Sequence, residues 1–534
     1  MRLPRLRTCT RALCTCSMAA LASLAAAPGH ADEPSYSDLS QDIDGRPQPW
    51  WSVSGYFRSR GEALYNADLD RGLDPTGQPL YPVPPSSPAS QLLTHADVRL
   101  RTDLTARTPR GGGSVHLRLD WLDGLGLGSA PDGAPTAATG QKPASTAAVL
   151  RHAYAMAALP FGALAVGRMS AHWGMGMVSH GAGDLDSDRG DAADRIALVS
   201  PLLGHIVTVS YDWSATGPAA QRPSGSRSID LDPSDDVRSV TVAVLQWHTD
   251  QARKRRVKAD KTTLEYGVFV SRRWQDRDVP ASWATANPPA ELGSAQWVKR
   301  GLDVYAGDLW LKASGKWGAV EAEAFALTGA YQKASLIPGV QLREPIELRQ
   351  LGAALRSEFG ESLGFAAGLD AGAASGDPAP GVGAFAAGTA TVGKPGALRA
   401  AQIDPPRDNM LSEFRMSPEF RVDRILFREL WGAVADAVYL RPHLRYRWAE
   451  VGAGRLTLDL AAIQSFAVYA ASAPGGRQPL GLEIDPTLEY QTRDGLTAAL
   501  QYALLLPQSG LDNPQAGALA KPAQLGRVIV RWAF

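Results

Sequence analysis

The chain reads as all-β, a single-chain transmembrane antiparallel β-barrel of about eighteen strands, with sixteen as the alternative. Three observations predict this. Apolar and charged residues alternate along many segments of about ten to fifteen residues. Short turns alternate with long connections between those segments. No stretch beyond Ala31 is apolar enough to cross a bilayer as a helix, which needs roughly 17–25 residues. A strand sends successive side chains to opposite faces. A barrel can therefore hide its lipid-facing residues at every second position, and its overall composition stays unremarkable.

The first element is a segment for export. Arg2, Arg5, Arg7 and Arg11 make a basic start, Ser17 to Ala27 is a short apolar run, and Gly29-His30-Ala31 supplies small residues for cleavage after Ala31. Residues 32–50 are polar and read as a periplasmic lead-in. The barrel then occupies 51–534, with an inserted loop near 375–432. All three cysteines (Cys9, Cys14, Cys16) lie inside the export segment, so the mature chain has no disulfide or thiolate metal site. Removing that segment changes 54 basic against 54 acidic residues to 50 against 54. A slight acidic excess argues against nucleic acid as a partner.

The clearest strand is 94–107. Thr94, Ala96, Val98, Leu100, Thr102, Leu104 and Ala106 share one face, and His95, Asp97, Arg99, Arg101, Asp103, Thr105 and Arg107 the other. A helix would scatter those charges around its circumference. Residues 115–121 repeat the pattern, as do 440–448, 480–491 and 498–506. In 480–491, Leu480, Leu482 and Ile484 oppose Glu483, Asp485 and Glu489. The final segment sets Phe534, Trp532, Val530, Val528 and Gly526 against Arg531, Ile529 and Arg527. The segmentation is 51–65, 92–106, 114–122, 147–158, 161–170, 192–200, 203–213, 237–249, 262–274, 302–314, 317–330, 347–359, 361–374, 433–448, 455–471, 480–492, 496–506 and 523–534. Between them, tight turns alternate with long loops. A longish, very basic turn at 250–261 and a short loop at 473–479 are the irregularities. No internal repeat of a propeller or solenoid is visible.

Several local features carry a family resemblance. Gly167-Arg168-Met169 precedes His172-Trp173-Gly174-Met175-Gly176-Met177 and the run Gly181 to Arg195. A second run extends from Val422-Asp423-Arg424-Ile425-Leu426-Phe427-Arg428-Glu429-Leu430-Trp431-Gly432 into Ala437-Val438-Tyr439-Leu440-Arg441-Pro442. With the aromatic ending, these resemble an uncharacterised family of exported outer-membrane β-barrels of myxobacteria and other deltaproteobacteria, and distantly porins of the alginate-export type. The resemblance implies a barrel in the outer membrane, with Trp532 and Phe534 as a C-terminal sorting signal for the barrel-assembly machinery. It also implies membrane lipid and lipopolysaccharide as surroundings.

If the apolar faces meet lipid, the opposite faces line a lumen. Arg58, Arg60, Arg99, Arg101, Arg118, Arg527 and Arg531 are expected on one wall, and Arg441, Arg445 and Arg447 form a second basic group. Glu483, Asp485 and Glu489, with Asp459, Glu321 and Glu323, are expected to make acidic walls. Opposed walls would set up a transverse field across a pore. The apolar patch within 410–432, with Asp423, Arg424, Phe427, Arg428 and Trp431, is expected to fold inward as a constriction, because an exposed loop seldom needs such residues. Asp184, Asp186, Asp188 and Asp191 begin like a calcium loop, although Gly190 is late and Arg195 stands where a closing Glu belongs. Calcium in 184–194 is the one cofactor weighed, against salt bridges to Arg189 and Arg195. His172, Ser179 and His180 could be assembled into a hydrolytic site, but Gly-x-Ser-x-Gly and His-Glu-x-x-His are both absent, so no catalytic residues are expected. The expected function is passive passage of small polar or charged solutes. A non-conducting structural or ligand-binding barrel is the alternative, and an outer-membrane hydrolase a lesser one. Monomer and trimer both stay open.

Overall fold

Alternation of apolar and charged side chains is satisfied in the computed structural model by one closed antiparallel sheet of eighteen strands. The structure describes residues 50–534 apart from 75–76, 85–90, 110–111, 129–147, 218–219, 222–228, 231, 279–296, 333–344, 361–363, 378–409 and 449. The strands are β1 (Trp51–Tyr65), β2 (Leu92–Arg107), β3 (Gly113–Gly126), β4 (Val149–Leu159), β5 (Gly162–Ser170), β6 (Ala192–Leu202), β7 (His205–Ala215), β8 (Val237–Gln246) and β9 (Thr263–Gln275). They continue as β10 (Leu302–Gly315), β11 (Gly318–Tyr331), β12 (Ile346–Gly360), β13 (Gly364–Ala374), β14 (Ala437–Arg447), β15 (Gly454–Ala467), β16 (Pro479–Thr492), β17 (Leu496–Pro507) and β18 (Ala523–Ala533). Each pairs with its sequence neighbour, and β18 returns to β1 from Tyr56↔Ala533 to Tyr65↔Gln524. Gly55 and Phe534 then exchange both backbone hydrogen bonds at 3.0 Å. Every expected strand is present within a few residues, and sixteen is excluded. The export segment and nearly all of the lead-in lie outside the described residues.

The two faces differ as the alternation requires. Val98, Ser59 and Val530 lie in one outward row across β2, β1 and β18, while Asp97, Arg99 and Arg101 are buried inside. Leu440, Leu444, Tyr446, Leu500, Val528 and Trp532 are all exposed on the outer wall. Such a continuous apolar exterior is what hydrocarbon, rather than water, would cover.

Two expectations need correction. The basic 250–261 segment is no extended turn. It forms helix α1 (Asp250–Lys258), with Thr249 capping Ala252 N–H and Arg255, Arg256 and Lys258 beside its carbonyl end, where the helix dipole favours cations. Leu480 does not join the outward face. A register shift at Phe466↔Pro479 skips it, and it is fully buried in a cluster with Leu505, Leu511 and Leu525.

That cluster lies inside the barrel. Long loops at one end fold back into the lumen. The 171–191 loop brings Met175 and Met177, and the 410–436 segment brings Phe414, Met416, Phe420, Ile425, Leu426 and Phe427, against Tyr439 and Ile463 of the wall. Glycines in the wall make room for them. A Cβ on Gly352 would meet the Phe414 ring at 2.2 Å, and one on Gly267 would meet Trp173 at 3.0 Å. Gly352→Val is expected to displace Phe414 and destabilise by about 1–3 kcal/mol, the usual cost of overpacking. Limited trypsin digestion at Arg415 and Arg421 should then accelerate while the barrel stays folded.

Candidate functional site

Arginines of β1, β2 and β18 are brought side by side by the register. Arg58 stands opposite Arg99 on one flank and Arg531 on the other. Like charges so placed repel, and burying an unpaired guanidinium is more costly still. The tip of the 171–191 loop resolves this. Asp188 lies 2.6 Å from Arg58 and 3.0 Å from Arg60, with Arg421 and Arg99 at 3.5 and 3.6 Å. Asp186 lies 2.8 Å from Arg527 and 3.2 Å from Arg60, and binds Arg428 through both guanidinium nitrogens. The tip backbone helps too: the Ser187 carbonyl accepts from Arg58 at 2.7 Å, and the Asp188 carbonyl from Arg99. Burial alone would raise both carboxyls. Arg428 and Arg527 instead hold Asp186 well below the usual carboxylate range, and Arg60 and Arg58 do the same for Asp188.

Acidic strand residues complete the lattice. Asp97 binds Arg60 at 2.8 Å, Asp120 binds Arg101 at 2.7 and 3.0 Å, and Glu62 binds Arg527 at 2.7 Å. Arg58 and Arg527 are 0% and 1% exposed, so they hold the loop rather than offer a free basic surface. Arg118 is spent on Asp103 at 2.6 Å, and Arg531 stacks 4.4 Å above Tyr56.

The 410–436 segment is held by carboxylates in a second way. Glu483 accepts the N–H groups of Arg424, Ile425 and Leu426 at 2.9, 2.8 and 3.1 Å. Asp423 accepts those of Phe427 and Arg428 at 2.8 and 3.1 Å, capping a single π-helical turn at Leu426–Leu430. Burial, reinforced by neighbouring Asp485, pushes the Asp423 carboxyl up to about 7. Arg424 lies 3.8 Å from Asp485, and Trp431 packs edge-on to Phe427. Asp423, Arg424, Phe427, Arg428 and Trp431 thus lie together on the segment held by Glu483, Asp485 and Asp186.

Opposed acidic and basic walls are not observed. Glu483 and Asp485 are buried against the loop. Arg441 pairs with Asp370 at 2.7 Å, Arg445 with Asp459 at 2.5 Å and with Glu358, and Arg447 with Glu358 at 3.5 Å. Charges of both signs interleave there because antiparallel register sets them across from one another. Glu489 is half-buried on β16. The calcium reading of 184–194 is also replaced. Asp186 and Asp188 are turned onto arginines of β1, β2, β18 and the 410–436 segment. Asp191 accepts His180 N–H at 2.8 Å and the Ser417 hydroxyl at 3.2 Å, and Asp184 lies mostly exposed beside His180. Arg195 binds Asp212 at 2.8 Å, and the Arg189 N–H donates to Glu419 at 2.8 Å. Sequence reading missed Arg421, Glu419 and Glu429. Their only signal was the density of charge within 419–429.

Ser179, His172 and His180 do not form a nucleophile relay. The Ser179 hydroxyl donates to the Ala171 carbonyl, and each imidazole accepts a backbone N–H at Nδ1, from Gly181 at 3.2 Å and Ala182 at 3.0 Å. Burial, with His180 adjacent, pushes His172 down to about 4, and burial lowers His180 too.

The chain is similar to solved Pseudomonas aeruginosa proteins. These are OpdQ (11% identity over 91% of this chain and 97% of that one, TM-score 0.48), OpdK with vanillate (12%, 90% and 98%, 0.46) and the outer membrane protein OprD (9%, 90% and 93%, 0.42). Likeness at that level is too distant to transfer a property, and the barrel rests on its own hydrogen-bond ladder. No family model and no curated protein matches the chain.

Asp186→Asn with Asp188→Asn removes the counter-charges and leaves buried arginines facing one another. Breaking buried pairs costs about 3–5 kcal/mol each, so hydrogen exchange within 171–191 should rise sharply, whereas Asp184→Asn should change little. Acid should act through the histidines. Below about pH 6.5 an unfolded imidazole takes a proton that the folded His172 refuses until about 4. Stability of the 171–191 loop is thus present above that window and lost across it. His172→Gln should flatten the pH dependence of exchange in this loop.

Proposed function

We propose that the protein is a passive, porin-like channel of the bacterial outer membrane for small polar or charged solutes, its width set by the two inward loops. One observation carries the reading. The barrel has an apolar exterior, and its charged lumen is narrowed by segments fastened largely through side chains, with Met410–Leu411 also pairing in parallel with Glu347–Leu348 of the wall. A barrel of this strand number has more interior than its own side chains can fill. The partly exposed, mixed-charge patch of Glu358, Arg445, Arg447 and Asp459 supplies a polar lining. Export by cleavage near Ala31, a periplasmic lead-in at 32–50, and recognition of Trp532 and Phe534 by the assembly machinery belong to the same reading. So do contact with lipopolysaccharide and kinship with the myxobacterial barrels, which rests on the quoted motifs.

A second reading, a non-conducting structural barrel, is favoured by the near-complete burial of Arg58, Arg99 and Arg527. The two separate in planar bilayers. The wild type is expected to conduct, and Asp186→Asn/Asp188→Asn to conduct more, because the tip no longer holds the loop across the lumen. Silence from the wild type together with current from the variant would favour the structural barrel. Silence from both would end the channel reading.

A further inference from the structure

Where the 171–191 loop leaves the wall, it opens a notch. The β4–β5 ladder stops at Ala153↔Arg168, whereas β3–β4 continues to Asp120↔Val149 and β5–β6 to Ser170↔Ala192. Residues 149–152 thus have no partner on β5. A cavity of about 500 Å³ occupies the gap, within the roughly 300–1,000 Å³ usual for small-molecule sites. It is lined from both faces of the sheet. Arg101, Arg118 and His152 reach it from the lumen, and Arg168, Asp194 and Trp213 from the outer wall, with Arg151 and Arg273 alongside.

The lining is strongly cationic and only partly spent. Arg101, Arg151 and Arg168 each commit the Nε and Nη2 edge to carboxylates: Arg101 to Asp120 at 2.7 and 3.0 Å, Arg151 to Asp120 and Asp123, and Arg168 to Asp194 at 2.7 Å twice. Their Nη1 groups, and the whole guanidinium of Arg273, have no hydrogen-bond partner among the described residues. Asp194 is the one carboxylate in the lining. Planar guanidinium edges at fixed positions match the oxygens of carboxyl and phosphoryl groups.

We infer that this notch is a lateral binding site for an organic oxyanion, a solute or headgroup bearing a phosphoryl or carboxyl group, held in the wall and off the lumen axis. The site rests on the barrel reading but not on conduction. Trp213 and Leu150, both exposed on the outer wall, border it. An amphiphile could therefore place its anionic end among the arginines and its apolar end outward.

The full chain, purified in detergent, is titrated calorimetrically with inorganic phosphate, glucose 6-phosphate and citrate. Saturable binding is expected, weakened about tenfold by Arg168→Gln/Arg273→Gln, as loss of charge-assisted hydrogen bonds predicts. Both residues lie outside the loop-holding cluster, and heat-modifiable gel migration shows that the variant is folded. Nanodiscs with and without phosphatidic acid distinguish the source. Lipid retained by the wild type and lost by the variant, with no binding of soluble anions, assigns the site to a headgroup. If nothing binds to the folded barrel, or if wild type and variant bind equally, the site is overturned. Binding without conductance removes the channel and keeps the site; conductance without binding does the reverse.

Discussion

The meeting of Asp186 and Asp188 with a ring of arginines is the interaction on which the interior depends. Arg58, Arg60, Arg99 and Arg527 belong to strands that must lie side by side for the sheet to close, and Arg421 and Arg428 arrive from the other inward segment. None could be buried alone, because desolvating a charge costs several kcal/mol. Two carboxylates and three carbonyls on one loop tip satisfy most of them together. The tip therefore links the wall, its own loop and the second loop in one electrostatic unit.

Elsewhere the attachment is of another kind. Glu483 collects a run of three backbone N–H groups from the 410–436 segment, as an anion does at a helix start. Asp308 accepts the Trp173 indole N–H at 2.7 Å, placing the earlier loop against β10. Apolar packing then fills the space between, with Phe414 seated on Gly352 and Phe427 against Tyr439. Charge fixes where each segment docks, and packing excludes water from the dock. Near Glu358 and Arg445 the lumen keeps partly exposed charges.

Strand faces were legible in the sequence because period-two alternation is a local property. Asp97, Arg99 and Arg101 read as inward and are inward. The 422–432 patch was legible for a related reason: Ile425, Leu426 and Phe427 are too apolar for an outer loop. What could not be read was pairing across the barrel. Asp186 and Asp188 looked like metal ligands because their spacing is local, while their partners lie over a hundred residues away. The opposed walls failed likewise, since summing charge along each strand ignores which carboxylate the register sets beside Arg445. Helix α1 is hard to read from sequence although Thr249 is a good cap, because its basic run shows no apolar stripe to mark a helix. Leu480 departs from the alternation because the bulge at the start of β16 turns it inward, whereas Leu482, Ile484 and Leu488 keep the expected face.

Closure by β1 and β18 bears on how the molecule is assembled. The ion pair between Glu62 and Arg527 joins residues 465 apart, so the seam bears the largest loop-closure entropy in the chain. It is also where the register sets Arg58 opposite Arg531. Distance in sequence and charge therefore oppose the same zippering step, and the acidic tip relieves only the second. Sealing the wall and threading the loop are thus thermodynamically coupled. A half-inserted chain whose tip is still outside carries a self-repelling seam, which marks it as unfinished.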